Sequence, residues 1–222
     1  MSVTFEAVDH SVEGMLRNGY GQTLEFLGDL ALSKIVDECD ALIFWRRDQK
    51  NRGTGEHRVF VPNPRTIAER ILYKPRSVPG ILNLGNQIED AVQVVGQERS
   101  IPLLKSWTAN HIVVNKMHAK RGVEAVHSHS DPEYYSGLLA VVSCAPALLK
   151  FEETDMAMAT EAGSLETFIG SDLADLSEGD EQVGQVKHAV EVNQDRYSII
   201  YANDTRLPQT FAQIARTQLF GV

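Results

Sequence analysis

Two histidines and one aspartate are the residues of this chain whose types and spacing most clearly suggest metal chemistry. His129 and Asp131 are separated by one residue, so both side chains point to the same face if they lie on a strand. His188 follows within the apolar-flanked residues 186–190. Two imidazoles and one carboxylate can cover one face of an octahedral Fe(II) ion and leave the opposite face open. We therefore predict that His129, Asp131 and His188 bind iron and form the catalytic centre.

A second polar group follows the distal histidine. Arg196 lies eight positions after His188, and Ser198, two residues further on, shares its strand face. A guanidinium and a hydroxyl can bind the distal carboxylate of 2-oxoglutarate. With the metal ligands, they predict an enzyme that uses Fe(II), 2-oxoglutarate and O2 to hydroxylate a C–H bond. Asp131 favours hydroxylation, because a halogenase site would leave that coordination position to a halide.

His127 is a competing ligand, because it shares a strand face with His129. Only the pair of His129 and Asp131 supplies the hard anionic oxygen that an Fe(II) site requires. We therefore predict that His127 lies behind the ligands or contacts the substrate. Three further candidates for substrate contact follow the predicted ligands directly: Glu133, Tyr134 and Tyr135.

The elements that must position these residues follow from hydrophobic periodicity. The first forty-five residues and residues 81–95 have helical spacing, and residues 59–64 have the pattern of a short strand. From His111 onward, the pattern changes to short β-rich segments. These eight predicted strands cover 111–117, 123–129, 138–144, 148–153, 156–160, 165–169, 186–192 and 197–202. We predict an α+β fold: a double-stranded β-helix (jelly-roll) barrel with N-terminal helices and a lid.

Length and composition favour one large domain. The chain has 222 residues, of which 43% are apolar, which is enough for a full core. We predict a single domain over residues 1–222, with a helical and lid part at 1–105 and the barrel at 106–222. No run of eighteen apolar residues and no signal peptide is evident, so we expect a cytoplasmic protein without a membrane span. Cys39 and Cys144 are too few for a disulfide framework and are predicted to be buried thiols.

Charge is unevenly distributed along the chain. The net charge is −9, yet residues 46–76 hold nine basic and three acidic residues. This basic segment could follow a phosphate backbone, so a nucleic acid is a candidate partner, although an ordinary solvated surface explains the pattern equally well. The sequence does not indicate an oligomeric state.

Several segments between residues 59 and 203 resemble the AlkB-like branch of the 2-oxoglutarate oxygenases. Residues 61–65 (VPNPR), Tyr73 and residues 79–92 are similar to that family's Pro-Arg pair, tyrosine and helix before the barrel. Residues 110–115 (NHIVVN) resemble its strand that ends in a co-substrate-binding asparagine. The resemblance implies that Asn115 binds 2-oxoglutarate with Arg196, and it adds Tyr73 to the candidate substrate contacts.

The metal-ligand segments carry the same resemblance. Residues 129–133 (HSDPE) are similar to the family's His-x-Asp-x-Glu, and residues 186–190 (VKHAV) resemble the Lys-His-Ala-Val of viral members. AlkB-like proteins oxidise N-alkyl groups on nucleobases, which implies a DNA or RNA substrate. Met117 and Ala202 stand where the family has a tyrosine and a second arginine. Residues 196–201 (RYSIIY) equally resemble the TET/JBP hydroxylases, which oxidise the 5-methyl group of a pyrimidine.

Three alternative functions remain. A small-molecule or protein hydroxylase of the same superfamily would use the same metal site. Residues 22–29 (QTLEFLGD) resemble the ribonuclease III signature, for which Glu89 and Asp90 would supply the second acidic cluster of an all-α nuclease. A barrel that binds a partner without turnover is disfavoured, because an inactive site would have no reason to keep the predicted iron and co-substrate ligands.

Overall fold

The structure is a computed structural model that describes residues 5–42, 45–46, 56–59, 78–120, 124–152, 154, 156–174 and 184–205. For residues 45–46 and 56–59 only the backbone is described. The helices are α1 Phe5–Asn18, α2 Asp29–Asp40, α3 Pro79–Glu98, α4 Pro102–Lys105 and α5 Ser171–Ala174. Among the described residues, no helix is both long and apolar enough to cross a membrane.

The strands fall into an N-terminal group and a barrel group. The N-terminal strands are β1 Tyr20–Thr23, β2 Trp45–Arg46 and β3 Glu56–Val59. The barrel strands are β4 His111–Met117, β5 Val126–His129, β6 Tyr135–Ser143, β7 Ala147–Phe151, β8 Met156–Thr160, β9 Leu165–Ile169, β10 His188–Glu191 and β11 Arg196–Asp204. Each of the eight predicted barrel strands is therefore present, with bounds that differ by a few residues.

The strands form two antiparallel sheets. The larger sheet has the order β1-β9-β6-β11-β4-β3-β2, and the smaller one has the order β5-β10-β7-β8. The barrel strands are thus divided four and four between the sheets, and every consecutive pair except β7 and β8 crosses from one sheet to the other. This arrangement is that of a double-stranded β-helix. The predicted α+β jelly-roll fold is confirmed.

The two faces of the larger sheet bury different residues. Along β11, Tyr197, Ile199 and Tyr201 pack into the cluster that includes the helices. Arg196 and Ser198, which alternate with them, line a cavity between the two sheets. Alternate residues of β11 therefore face opposite sides of the sheet, one set towards the core and the other towards the candidate site.

The N-terminal helices cover the outer face of the larger sheet. Val8, Val12 and Met15 form the buried stripe of α1. Pro79 occupies the first turn of α3, where its missing N–H costs no helical hydrogen bond. Glu38 of α2 accepts hydrogen bonds from the Gly80 and Ile81 N–H groups at 2.7 and 2.9 Å, and so caps α3.

The prediction of an uninterrupted helical region at the N-terminus is wrong at β1. Tyr20 to Thr23 pair with Phe168 to Leu165 of β9 and extend the sheet. The near-helical spacing of leucines was misleading, because Leu24 and Leu30 are 46% and 73% exposed. Of the strand predicted at 59–64, Val59 belongs to β3 and residues 60–64 lie outside the described ranges.

The two cysteines are both free and buried, as predicted. Cys39 lies on α2, Cys144 directly follows β6, and both belong to the same buried cluster. The neighbouring Cys144 thiol and burial raise the pKa of the Cys39 thiol, so it is protonated at neutral pH.

A Gly21→Ala substitution should destabilise the fold by at least about 3 kcal/mol, because overpacking against rigid backbone is costly. A Cβ at Gly21 would lie 1.7 Å from the Ser11 carbonyl oxygen of α1. Urea unfolding of the purified variant measures this change. Gly28→Ala is the matched control, because a Cβ there meets nothing within 4 Å, and its effect should stay below about 1 kcal/mol. Equal stability of the two variants would contradict the close packing of α1 on β1.

Candidate active site

A cavity of about 70 Å³ lies between the two sheets. It is larger than the roughly 10–15 Å³ that one water molecule needs, so it can accept a small ligand. His129, Asp131 and His188 line one part of the cavity, and Arg196 and Ser198 line another. The structure thus brings together the two groups of residues that the sequence predicts.

The predicted metal ligands come from adjacent strands of the smaller sheet. His129 ends β5, His188 begins β10, and the two residues are direct partners in the register. Asp131 follows β5 in the connection to β6. One ligand atom from each of the three residues lies within 4.8 Å of the others, and His129 Nε2 is 3.9 Å from an Asp131 carboxylate oxygen. Among the described residues, this is the one group of three histidine, cysteine or acidic residues arranged closely enough to hold a metal ion.

A β-bulge decides which histidine of β5 faces the cavity. His129 pairs with His188, but Val126 pairs with Val190, so three steps along β5 match two along β10. Val126 and His129 both line the cavity as a result. The His127 side chain is 46% exposed and lies 3.4 Å from Glu124, away from the predicted ligand group.

Backbone carbonyls orient both imidazoles. His129 Nδ1 donates to the His127 carbonyl oxygen at 3.0 Å, and His188 Nδ1 donates to that of Val186 at 3.4 Å. Since a carbonyl only accepts, each Nδ1 carries the hydrogen and each Nε2 carries the lone pair that a metal needs. The His188 ring also stacks on Phe168 at 4.3 Å, which restricts its rotation.

The protonation of the ligand group suits a cation. Burial raises the pKa of Asp131 to about 6, against the opposing effect of His129. Burial and the neighbouring His188 lower the pKa of His129, so its imidazole is neutral at physiological pH. A largely enclosed carboxylate beside a neutral imidazole fits a divalent metal, which would compensate the carboxylate's charge.

Arg196 lies at the other side of the cavity and is 5% exposed. Its Nη1 donates to Thr160 Oγ1 at 3.2 Å, and its Nη2 donates to Ser143 Oγ at 2.7 Å. Its buried Nε has no hydrogen-bond partner among the residues that the structure describes, and the same holds for the buried Oδ1 of Asn115. An unpaired buried donor on a guanidinium fits a ligand carboxylate, because leaving such a group unpaired is costly.

Three residues around Arg196 were missed by sequence reasoning. Ser143 of β6, Thr160 of β8 and Glu166 of β9 all line the cavity. Glu166 is 1% exposed and accepts hydrogen bonds from Ser143 Oγ at 2.8 Å and from the Ser164 hydroxyl. The sequence signal that could have indicated Glu166 was a charged residue in the middle of the otherwise uncharged predicted strand 165–169. The structure shows that all five residues of this strand are buried.

Glu133, Tyr134 and Tyr135 follow the metal ligands directly in the chain but do not line the cavity. Glu133 is exposed, and Tyr135 is buried with its ring edge-on to Tyr134 at 4.8 Å and to His111 at 5.5 Å. Tyr73 lies outside the described residues. So does most of the basic segment 46–76, of which only the backbone of Arg46 and of residues 56–59 is described.

The ribonuclease III alternative is wrong, because that family needs an all-α domain and this chain folds into two β-sheets. Glu25 of the similar segment is in the left-handed region with φ 57°, in the turn between β1 and α2. Glu89 on α3 accepts a hydrogen bond from the Ala109 N–H at 2.8 Å. Phe26 and Leu27 of the similar segment are buried, whereas Leu24 is exposed.

The fold is similar to solved structures of Fe(II)/2-oxoglutarate oxygenases. A Pseudomonas putida prolyl-4-hydroxylase has a TM-score of 0.56 at 13% identity, covering 89% of this chain and 98% of the hydroxylase. The dioxygenase for auxin oxidation 1 from Arabidopsis thaliana, in its complex with 2-oxoglutarate, has a TM-score of 0.56 at 15% identity, covering 88% and 85%. JOX2, in complex with 2OG, Fe and JA, has a TM-score of 0.60 at 14% identity, covering 87% and 70%.

No protein-family model and no curated protein sequence matches the chain. At these identities the structural similarity establishes the fold, and the chemistry rests on the residues that line the cavity. Those residues are suited to a ferrous ion and to the two carboxylates of 2-oxoglutarate. The chain therefore has the double-stranded β-helix fold of the Fe(II)/2-oxoglutarate oxygenases.

Proposed function

We propose that this protein is an Fe(II)/2-oxoglutarate-dependent dioxygenase that hydroxylates a C–H bond, with an alkyl group on a nucleobase as the favoured target. His129, Asp131 and His188 hold the iron, and Arg196, Ser198 and Asn115 hold the co-substrate. The observation that carries the proposal is one cavity lined both by a three-residue metal-ligand group and by a buried arginine whose Nε is unpaired among the described residues.

The reaction consumes 2-oxoglutarate, O2 and a substrate C–H bond, and it yields succinate, CO2 and a hydroxylated product. The bound iron supplies the site at which O2 is activated. Arg196 anchors the distal carboxylate, so the 2-oxo acid end is directed towards His129, Asp131 and His188. The apolar residues Leu139, Val141 and Phe168 line the cavity between these groups and exclude water.

A nucleobase is the favoured substrate class because part of the sequence resemblance to AlkB-like and TET/JBP proteins, at residues 110–115, 129–133, 186–190 and 196–201, lies in segments that contribute to the cavity. The basic segment 46–76 precedes the barrel, and β2 and β3 from this region extend the larger sheet beside β4. His57 of β3 pairs with Asn115, so the segment reaches the strand that carries a predicted co-substrate ligand.

A protein or small-molecule substrate is the second candidate. Met117 lines the cavity and Ala202 is buried on the neighbouring β11, where the AlkB-like family has a tyrosine and a second arginine. The similar structures include proteins named as prolyl hydroxylases and as a dioxygenase for auxin oxidation. A hydroxylated N-methyl group would break its N–C bond and release formaldehyde, whereas a hydroxylated C-methyl, proline or small molecule would remain stable.

A substrate panel tests the proposal. Methylated and unmodified DNA and RNA oligonucleotides, proline-containing peptides and small carboxylic acids are incubated separately with the protein, Fe(II), 2-oxoglutarate and O2. We expect a methylated oligonucleotide to stimulate succinate formation above the rate without substrate. If only a peptide or a small acid stimulates succinate formation, the substrate is of that class and the proposal of a nucleobase is wrong. The proposal of an Fe(II)/2-oxoglutarate-dependent dioxygenase would still hold.

Reversing the charge of Arg46, Arg47 and Arg52 to glutamate should weaken oligonucleotide binding and flatten its dependence on salt. For each phosphate that the protein no longer neutralises, the slope of log K against log salt should decrease by about one unit. Fluorescence anisotropy at several salt concentrations measures this slope. Decarboxylation of 2-oxoglutarate without substrate is the control and should remain nearly unchanged. Binding that is absent in the parent protein, or insensitive to salt and to the reversals, would contradict a nucleic-acid substrate.

A further inference from the structure

The co-substrate end of the cavity holds a buried carboxylate that the proposed reaction does not need. Glu166 is 1% exposed, and it accepts a hydrogen bond from Ser143 Oγ at 2.8 Å. The same Ser143 Oγ accepts from Arg196 Nη2 at 2.7 Å, so the serine links the two charged groups.

The surroundings of Glu166 contain one positive charge within the part of the chain that the structure describes. Arg196 of β11 faces it, and Tyr20 of β1 and Cys144 at the end of β6 also lie in this region. Burial raises the pKa of Tyr20, so its phenol is neutral. The predicted metal ligands His129, Asp131 and His188 line the same cavity. The Gln22 amide of β1 and the Ser164 hydroxyl complete its polar contacts. Burial raises the pKa of Glu166, whereas the hydrogen bonds to the two serines and the charge of Arg196 oppose this shift.

An incoming carboxylate changes this charge balance. Arg196 and an ionised Glu166 together are neutral, and the distal carboxylate of 2-oxoglutarate would add a second negative charge to a buried site. Two carboxylates that share one cation in a low-dielectric region raise the pKa of one of them. The bound ligand gains Arg196 as its partner, so the proton is expected on Glu166.

We propose that Glu166 takes up one proton from solution when 2-oxoglutarate binds at Arg196, and that Ser143 and Glu166 are thereby part of the co-substrate site. This inference rests on the proposed function. Protonated Glu166 donates to Ser143 Oγ, and the Ser143 hydroxyl hydrogen is then available to the ligand carboxylate. The site accepts a dicarboxylate without burying an uncompensated charge.

The proton linkage predicts how affinity depends on pH. Because binding takes up a proton, the affinity for 2-oxoglutarate should fall as the pH rises above the pKa of Glu166 in the ligand-free protein. The limiting slope is about tenfold per pH unit. A 2-oxo acid that lacks the distal carboxylate should show no such dependence, because it brings no second charge to Arg196.

Calorimetric titration of the Mn(II)-loaded protein with 2-oxoglutarate tests the proposal without turnover. Titrations at several pH values from about 6 to 9, each in two buffers with different ionisation enthalpies, give the number of protons taken up. We expect up to one proton per ligand for the parent protein and for Glu161→Gln, a matched control at an exposed glutamate. Glu166→Gln should bind 2-oxoglutarate with no proton uptake from this group and with an affinity that is nearly independent of pH.

Titration of the parent protein with 2-oxopentanoate provides a comparison that does not depend on a variant folding. In this ligand a methyl group replaces the distal carboxylate, and we expect it to bind without proton uptake. Two results would overturn this inference and leave the proposed function standing. One is tight binding of 2-oxoglutarate without proton uptake at any pH. The other is proton uptake equal to that of the parent protein with 2-oxoglutarate, seen either in Glu166→Gln or with 2-oxopentanoate. Failure of both the parent protein and Glu166→Gln to bind 2-oxoglutarate would overturn the proposed function together with it.

Discussion

An Asp131→Ala variant should lose Fe(II) affinity by at least roughly 100-fold and lose 2-oxoglutarate turnover with it. Asp131 supplies the one anionic oxygen of the ligand group, and changes even to residues behind metal ligands cost about 10- to 100-fold. Equilibrium metal binding and succinate formation measure the two effects. Full turnover in Asp131→Ala would contradict the assignment of the metal site.

A comparison of two histidines makes this test specific. His129→Ala should lose metal binding to a similar degree, whereas His127→Ala should retain it, because the bulge in β5 turns His127 away from the ligand group. Both variants change the same strand, so a general loss of structure would affect them alike. Loss of metal binding in His127→Ala, with retention in His129→Ala, would show that the other histidine is the ligand.

Replacing Arg196 by lysine should raise the Kd for 2-oxoglutarate at least roughly tenfold, which corresponds to about 1.4 kcal/mol. The guanidinium donates to both Thr160 and Ser143 and keeps Nε for a ligand, and an ammonium group cannot reproduce this planar arrangement. The effect should appear mainly in the Michaelis constant for 2-oxoglutarate. Calorimetric titration with 2-oxoglutarate and steady-state kinetics measure it.

The matched control for this variant is Arg99→Lys. Arg99 pairs with Asp9 at 2.7 Å on the helical side of the protein, outside the cavity. Its replacement should leave the Kd for 2-oxoglutarate unchanged. An unaltered Kd in Arg196→Lys as well would show that another group anchors the distal carboxylate.

The barrel and the placement of the predicted ligands could be predicted because they depend on local patterns. Alternation along β11 places Arg196 and Ser198 on one face, and the same alternation is visible in the sequence without knowledge of the partner strands. His188 is the first residue of β10, and Arg196 is the first residue of β11, the next strand along the chain. The eight-residue spacing between them therefore covers one strand and the single loop that follows it. Residue type and short spacing were therefore sufficient to predict these positions.

The features that were missed depend on contacts between distant segments. Glu166 meets Ser143 and Arg196 only because β9, β6 and β11 lie side by side, and no local pattern specifies that order. The bulge that separates His127 from His129 is likewise a property of the pairing with β10. For β1, pairing with β9 and the absence of a side chain at Gly21 outweigh the helical spacing of the neighbouring leucines.

Incubation with 18O-labelled O2 tests the central claim most directly. The parent protein is supplied with Fe(II), unlabelled 2-oxoglutarate and the labelled gas, and succinate is analysed by mass spectrometry. A dioxygenase divides the two atoms of O2 between succinate and the substrate hydroxyl, so we predict succinate that contains one 18O atom. The label should require Fe(II) and should be absent from the Asp131→Ala reaction. Succinate that forms without the label, or a protein that forms no succinate with Fe(II) and any member of the substrate panel, would contradict the account.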